Sequence, residues 1–193
     1  KDTRSYTEAI IAKALDIPLE IVKDNLELMS PRINANINNQ YSMVDALYEN
    51  KTSIINIEVN YKNTINGRNR GVKYVCNLLL KQMKVNNKEY KLKPVYQINI
   101  NNYDIFTAGR FIYKSYLMEE KIHKRRDNSI CIVDINMAIL SKMNYTDIMK
   151  GDKGSLEWLL YALVCKNNKE LNELYIGDKI MDKVRKKILD LTE

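Results

Sequence analysis

Histidine is almost absent: His123 is the single one in 193 residues. A His-based nucleophile dyad and a His-rich zinc site are therefore excluded. Cys76, Cys131 and Cys165 are too widely spaced for a Cys-x-x-Cys zinc pattern. They suit small buried apolar positions in a reducing compartment, with no structural disulfide. Glycine is scarce, six in all, and Gly67-Arg68-Asn69-Arg70-Gly71 has the spacing of neither nucleotide-binding fingerprint. Apolar runs fall far short of the roughly 18 residues that span a bilayer, and the start does not read as a secretory signal. Low-complexity linkers and internal repeats are also missing. The expectation is a soluble, cytoplasmic chain with no membrane partner.

What is present is charge and a sizeable core. Hydrophobic residues make up 45% of the chain, enough for one substantial domain. Lys plus Arg number 31 against 24 Asp plus Glu, a net +7, with a pI near 9.1. That balance favours a polyanionic partner. The densest basic cluster, Lys121, His123, Lys124, Arg125 and Arg126, lies between strand-like runs at 110–118 and 129–135 and reads as a hairpin tip. Beside a groove it would grip a phosphate backbone without reading sequence; it equally suits a solvated turn.

The chemistry concentrates around residues 45 to 62. Ile55, Ile57, Val59 and Tyr61 alternate with Asn56, Glu58, Asn60 and Lys62, a period of two that predicts a strand with one apolar and one polar face. The run 41–48 is also β-favouring, and 49–52 is a plausible hairpin connection. An antiparallel pair turning near Asn50 and Lys51 would bring Asp45 within about two residues of the position opposite Glu58. A hard cation such as Mg²⁺, held by one or two carboxylates and a substrate phosphate, could bridge them. Such an ion lowers the pKa of a bound water and offsets charge on a scissile phosphate, so hydrolysis needs no nucleophilic side chain. The competing reading is two ordinary polar residues on a solvated sheet face.

A helix is predicted from about Arg70, with Val72, Val75, Cys76, Leu79 and Met83 on one face and Lys73, Lys81 and Lys84 elsewhere. Further strands are expected at 95–101, 110–118 and 129–135. A first helix opens with Ser5-Tyr6-Thr7-Glu8, which fits a capping box; Glu8 is also a candidate further acid. The glycine-containing break at 150–154 precedes Ser155, which caps a helix carrying Trp158, Leu159, Leu160 and Leu163. The last segment places Ile180, Met181, Val184, Ile188 and Leu191 on one face, which could fold back onto the core or pair with another copy in a homodimer. The fold expected is mixed α/β, with residues 1–150 as the core and 151–193 as a helical appendage packed on the same domain.

The order Asp45, Glu58-Val59-Asn60, then a helix with Arg70 and Tyr74, then Lys93-Pro94-Val95-Tyr96 and Leu156-Glu157-Trp158-Leu159-Leu160, resembles the PD-(D/E)xK nuclease superfamily. It is most similar to the Rpn-type, recombination-promoting branch, also described as PD-(D/E)xK nuclease family transposases. The resemblance implies a restriction-endonuclease-like mixed sheet and cleavage of DNA with Mg²⁺ or Mn²⁺. It further implies Asp45, Glu58 and the Val59 carbonyl as metal ligands and Arg70 near phosphate, while Tyr74 reads as a packing residue. The third motif position, usually Lys and commonly Gln in this branch, is Asn60, one methylene shorter than Gln. Lys62, two residues on, could compensate as a point charge beside phosphate or hydroxide, or be an exposed charge at a strand end. The resemblance also implies an earlier Asp-x-x-Phe-Lys-like helix. The chain begins at Lys1 without it, so a preceding segment is expected. Catalytic candidates are thus Asp45, Glu58, Asn60 and Lys62; DNA-contact candidates are Arg70, Lys73, Lys121, Lys124, Arg125 and Arg126. The alternatives kept open are a catalytically impaired nuclease fold that binds DNA and a protein-interaction module using the helical tail.

Overall fold

The structure, a computed structural model, describes residues 3–24, 26–34, 41–64, 66–83 and 91–190. In chain order its elements are α1 (Arg4–Leu15), α2 (Leu19–Lys23), β1 (Glu27–Leu28), β2 (Arg32–Asn34), β3 (Tyr41–Met43), β4 (Ala46–Glu49) and β5 (Ile54–Asn60). There follow α3 (Gly67–Gln82), β6 (Val95–Asn101), β7 (Ile112–Tyr116), β8 (Ile130–Asn136) and α4 (Met137–Leu140). The chain ends in α5 (Tyr145–Lys150), α6 (Leu156–Tyr161), α7 (Asn168–Tyr175) and α8 (Met181–Asp190). These divide into two compact units, 24–136 and 1–23 with 137–193. The division falls after β8, and α1 and α2 group with the C-terminal helices. Among the described residues no helix is long and apolar enough to cross a membrane.

The sheet-bearing unit holds six strands in the order β1-β4-β5-β6-β8-β7. β5, β6 and β8 run parallel at the centre, and β4 and β7 flank them antiparallel. β2 and β3 form a separate two-stranded piece. Strands buried on both faces ordinarily read as unbroken apolar runs. Here Ile-Ile-Asn-Ile-Glu-Val-Asn, Val-Tyr-Gln-Ile-Asn-Ile-Asn and Ile-Cys-Ile-Val-Asp-Ile-Asn alternate instead, and both sets are largely buried. Ile55, Ile57, Ile98, Ile100, Cys131, Val133 and Ile135 fill one face, at about 2 kcal/mol for each fully buried aliphatic side chain.

The other face is divided along its length. At the amino ends of the parallel strands, Ile54 and Val95 join Leu47, Val44, Ile33, Tyr74, Val75 and Leu78 in a core under the second half of α3. At the carboxyl ends the same face carries Glu58, Asn60, Asn99, Asn101, Asp134 and Asn136, every one buried. Gly71 brings the α3 backbone down over them: a Cβ there would lie 3.5 Å from Asn99 Nδ2. This tilts the buried stripe of α3 to Gly71, Tyr74, Val75 and Leu78. The sequence-based face is corrected accordingly, since Val72, Cys76 and Met83 are exposed. Lys84 lies outside the described residues.

Other local expectations divide as well. The hairpin between β4 and β5 turns through Asn50–Ser53, with Asn50 Oδ1 accepting from the Thr52 and Ser53 N–H groups at 2.9 and 2.7 Å. The run 41–48 is two strands rather than one: β3 pairs with β2, the chain bends, and β4 pairs with β5. Ser155 caps α6, its Oγ accepting from Trp158 N–H at 3.1 Å. Ser5 caps nothing, because α1 begins at Arg4, and Glu8 is buried against the Arg4 guanidinium at 2.7 Å. Of the three thiols only Cys131 is buried and Cys76 is exposed; all are unbridged. Leu191 lies outside the described residues.

The helical unit is organised around hydroxyl-bearing rings. Tyr6 Oη donates to the Leu159 carbonyl at 3.1 Å and Tyr175 Oη to the Trp158 carbonyl at 2.6 Å. Burial lifts the Tyr6 and Tyr175 phenols well above the ordinary range and pushes Tyr161 up to about 12. A phenol whose folded pKa is raised keeps its proton longer in the folded state. Its stabilisation is complete below about pH 10, the ordinary tyrosine value, and is lost as pH climbs through the folded value. Loss of native Trp158 fluorescence should therefore coincide with a late, cooperative rise in tyrosinate absorbance above about pH 10. Smooth ionisation of all tyrosines with Trp158 unchanged would contradict this.

Candidate active site

Continuing the β4/β5 register from Ala46↔Ile57 puts Asp45 directly opposite Glu58, closer than the two-residue tolerance read from the sequence. Asp45 itself is not in a strand; it sits at the bend just before β4. The β4 ladder stops there, and side chains take over its hydrogen bonds. Val59 N–H donates to Asp45 Oδ2 at 2.7 Å, and Asp45 N–H donates to Glu58 Oε1 at 2.9 Å. The two carboxylates are thus clamped reciprocally across the strands, each with one oxygen tied to backbone. The Val59 backbone edge faces the same gap.

Their surroundings differ. Asp45 is exposed, whereas Glu58 is buried. Burial raises the Glu58 pKa above the ordinary carboxyl range, opposed by the Asp45 N–H bond, reinforced by the Asp45 charge and opposed again by Arg70 and Asn56. Arg70, on the first turns of α3, donates through Nη2 to Asn60 Oδ1. Tyr74 packs in the core and donates to the Met43 carbonyl at 3.3 Å. Among the described residues no three His, Cys, Asp or Glu side chains gather into a metal-holding group; a cation placed here would meet two carboxylates and the Val59 backbone edge. That set fits a hard divalent ion completed by water and phosphate.

The remaining candidates take no part in the Asp45–Glu58 clamp. β5 ends at Asn60, so Lys62 is on the exposed connection to α3 and not on the strand face expected for it. Asn60 is buried with its amide engaged on both sides: Oδ1 takes Arg70, and Nδ2 donates to Asn101 Oδ1 at 2.9 Å. Lys73 is exposed on α3. Lys121, Lys124, Arg125 and Arg126 do form a hairpin tip between β7 and β8, with the Arg125 guanidinium 3.5 Å over the Tyr116 ring. Because β8 runs parallel to β5, the tip adjoins the opposite end of the sheet from Glu58. Four residues along β8 and two strands across separate Ile130 from the Glu58 level by roughly 16 Å, and the tip extends farther.

Sequence reading missed the amides. Asp134, on β8 level with Asn99 and Glu58, is buried, and burial raises its pKa against the lowering effect of Asn99, Asn101 and Arg68. Burial raises the Tyr103 pKa above the ordinary phenol value, opposed by the Arg70 charge and reinforced by that of Asp134. Arg68 clamps the following loop through two bonds to the Ile105 carbonyl, at 3.2 and 2.5 Å, and stacks 4.8 Å from the Phe106 ring. The available signal was the polar half of each alternation, Gln97-x-Asn99-x-Asn101 and Asp134-x-Asn136.

Two raised carboxyls give a pH dependence. Glu58 and Asp134 hold protons longer when folded, so their contribution to stability is complete below about pH 4 and falls as pH rises through their raised folded values. In metal-free buffer the Glu58→Gln variant should lose less melting temperature than the wild type between pH 4 and neutrality. Parallel profiles would contradict it.

A family model for PD-(D/E)XK nuclease family transposases matches residues 9–192. No curated protein and no solved structure matches the chain. The mixed six-stranded sheet with C-terminal helices is consistent with the restriction-endonuclease-like α/β fold, and nucleases of this kind generally use divalent metals and act on DNA. With the model spanning nearly its whole length, the chain belongs to the PD-(D/E)XK nuclease family transposases.

Proposed function

We propose that this protein is a divalent-metal-dependent DNA endonuclease with a transposase-like, recombination-promoting role. The observation that carries the reading is the reciprocal clamp between Asp45 and Glu58, two carboxylates opposite one another at an open strand end. Asp45, Glu58 and the Val59 carbonyl would hold Mg²⁺ or Mn²⁺. A bound cation supplies Lewis acidity and neutralises charge at the scissile phosphate. Arg70 offsets phosphate charge beside the pair. Lys62, exposed on the adjoining connection, orients the attacking water, while Asn60 is committed to Arg70 and Asn101.

The test is nicking of supercoiled plasmid by purified protein in Mg²⁺, Mn²⁺ or EDTA. Cleavage with either metal and none in EDTA supports the assignment. Absence of cleavage together with salt-sensitive DNA binding favours the second reading, an impaired nuclease fold kept for binding. The engagement of Asn60 on both sides of its amide is what favours that second reading.

The basic tip would act on the duplex at a point separate from cleavage. Replacing Lys121, Lys124, Arg125 and Arg126 by Ala should weaken binding and flatten its salt dependence by about 0.9 in log–log slope for each phosphate no longer neutralised. The turnover rate at saturating DNA should not change; a fall in it would bring the tip into the cleavage step.

A further inference from the structure

We propose that Asp134 is a positioning residue for Arg70, acting through a directional chain of buried amides that runs Arg70, Asn60, Asn101, Asp134. The relevance of Arg70 to cleavage rests on the nuclease reading above; the chain itself does not.

The geometry is continuous. Arg70 donates to Asn60 Oδ1, Asn60 Nδ2 to Asn101 Oδ1 at 2.9 Å, and Asn101 Nδ2 to Asp134 Oδ1 at 3.1 Å. A second arm converges on the same oxygen: Asn56 Nδ2 to Gln97 Oε1 at 2.7 Å, Gln97 Nε2 to Asn99 Oδ1 at 2.8 Å, and Asn99 Nδ2 to Asp134 Oδ1 at 2.9 Å. Each amide in isolation could face either way. Direction comes from the ends, because a guanidinium can only donate and an ionised carboxylate can only accept. With a donor at one end and an acceptor at the other, each amide must show its oxygen toward Arg70 and its nitrogen toward Asp134.

The second arm shows the direction being imposed. Its far end leaves Asn56 Oδ1 buried without a hydrogen-bond partner among the described residues, an arrangement that costs free energy. Reversing that arm would turn an amide donor toward Asn56 Oδ1, but it would also turn Asn99 Oδ1 against the Asp134 carboxylate and turn the Asn56 donor away from Glu58. The two carboxylates together set the direction. In the Arg70 arm the same constraint works constructively, presenting an amide oxygen to the guanidinium. Aligned bonds of this kind also polarise one another in a water-poor interior. The register explains the residue choice: Asn60 pairs with Asn101 and Asn99 with Asp134 in the parallel ladder, where short side chains meet directly.

The test follows the Arg70 guanidinium by ¹⁵N NMR hydrogen exchange in metal-free protein, alongside kcat and KM for plasmid cleavage with Mg²⁺. Asp134→Leu removes the acceptor and should speed Arg70 exchange by at least about tenfold, as loss of a hydrogen bond to a charged group implies. It should lower kcat more than it raises KM. Adding Asn101→Asp puts an acceptor-only group one link nearer and should restore slow exchange, although Asn99 still lacks its partner. Should Asp134→Leu not fold, Asn101→Leu cuts only the Arg70 arm and should speed exchange equally. Unchanged Arg70 exchange in the folded variant, or no rescue by Asn101→Asp, overturns the proposal. Exchange that responds as described in a protein that cleaves no DNA upholds the positioning role and rejects the nuclease reading.

Discussion

Glu58→Gln is expected to lower metal-dependent plasmid nicking by on the order of 10³-fold while leaving the fold intact. The substitution keeps an oxygen to accept the Asp45 N–H but removes one of two charges that would hold the cation. Charge stabilisation by a catalytic metal amounts to several kcal/mol, and each 1.36 kcal/mol is about a factor of ten in rate. Because Glu58 is buried and its ionised form is disfavoured there, the neutral variant should melt no lower than the wild type in metal-free buffer. Greater stability with lost activity is the signature of a functional carboxylate; a structural one would lose both. Asp45→Asn should match the loss of activity with little gain in stability, Asp45 being exposed. Nicking by either variant within about tenfold of wild type would remove the pair from the mechanism.

The carboxylate pair was legible because it depends on local quantities. A period of two, a turn at Asn50 and the distance from turn to acid suffice to bring Asp45 and Glu58 together, and the register agrees. Even there the sequence misleads on Asp45 itself: a β-favouring composition over 41–48 does not reveal that the chain bends between β3 and β4, since both halves pair well with different partners.

What escaped depends on non-local pairing. Gln97, Asn99, Asn101 and Asp134 look like solvated strand residues until β5, β6 and β8 are set parallel in register and covered by α3. Only then do they become a buried network that must satisfy itself. Strand direction also decides the place of the basic tip: its residues and turn were readable in the sequence, but the end of the sheet it adjoins follows only from the parallel pairing of β5, β6 and β8. The α3 face failed for a related reason. Apolar spacing picks Val72 and Cys76, yet a helix lying partly on amides presents Gly71 there instead. Asn60, set against a motif of Lys or Gln, read as a shortened catalytic group; opposite Asn101 it is the length that closes a hydrogen bond.

Tyr175→Ala is expected to destabilise the helical unit by about 3–5 kcal/mol, as large aromatic truncations in cores do. Tyr175 is fully buried, its ring meets Trp158 edge-on at 4.8 Å and 72°, and its hydroxyl donates to the Trp158 carbonyl. Tyr175→Phe separates the two contributions, losing only the hydrogen bond at about 1 kcal/mol. Trp158 is the chain's one tryptophan and borders the change, so urea unfolding followed by its fluorescence reads the effect where it arises. Domain stabilities of about 5–15 kcal/mol make the Ala loss large enough to populate unfolded helical unit without denaturant if the wild type lies near the lower bound. The denaturant slope should stay constant, since the surface exposed on unfolding hardly changes. A Phe variant as damaged as the Ala variant would shift the weight from ring packing to the hydroxyl. A Tyr175→Ala loss below about 1 kcal/mol would mean that the neighbouring side chains collapse into the space, against the close packing that burial of Tyr175 and Trp158 implies.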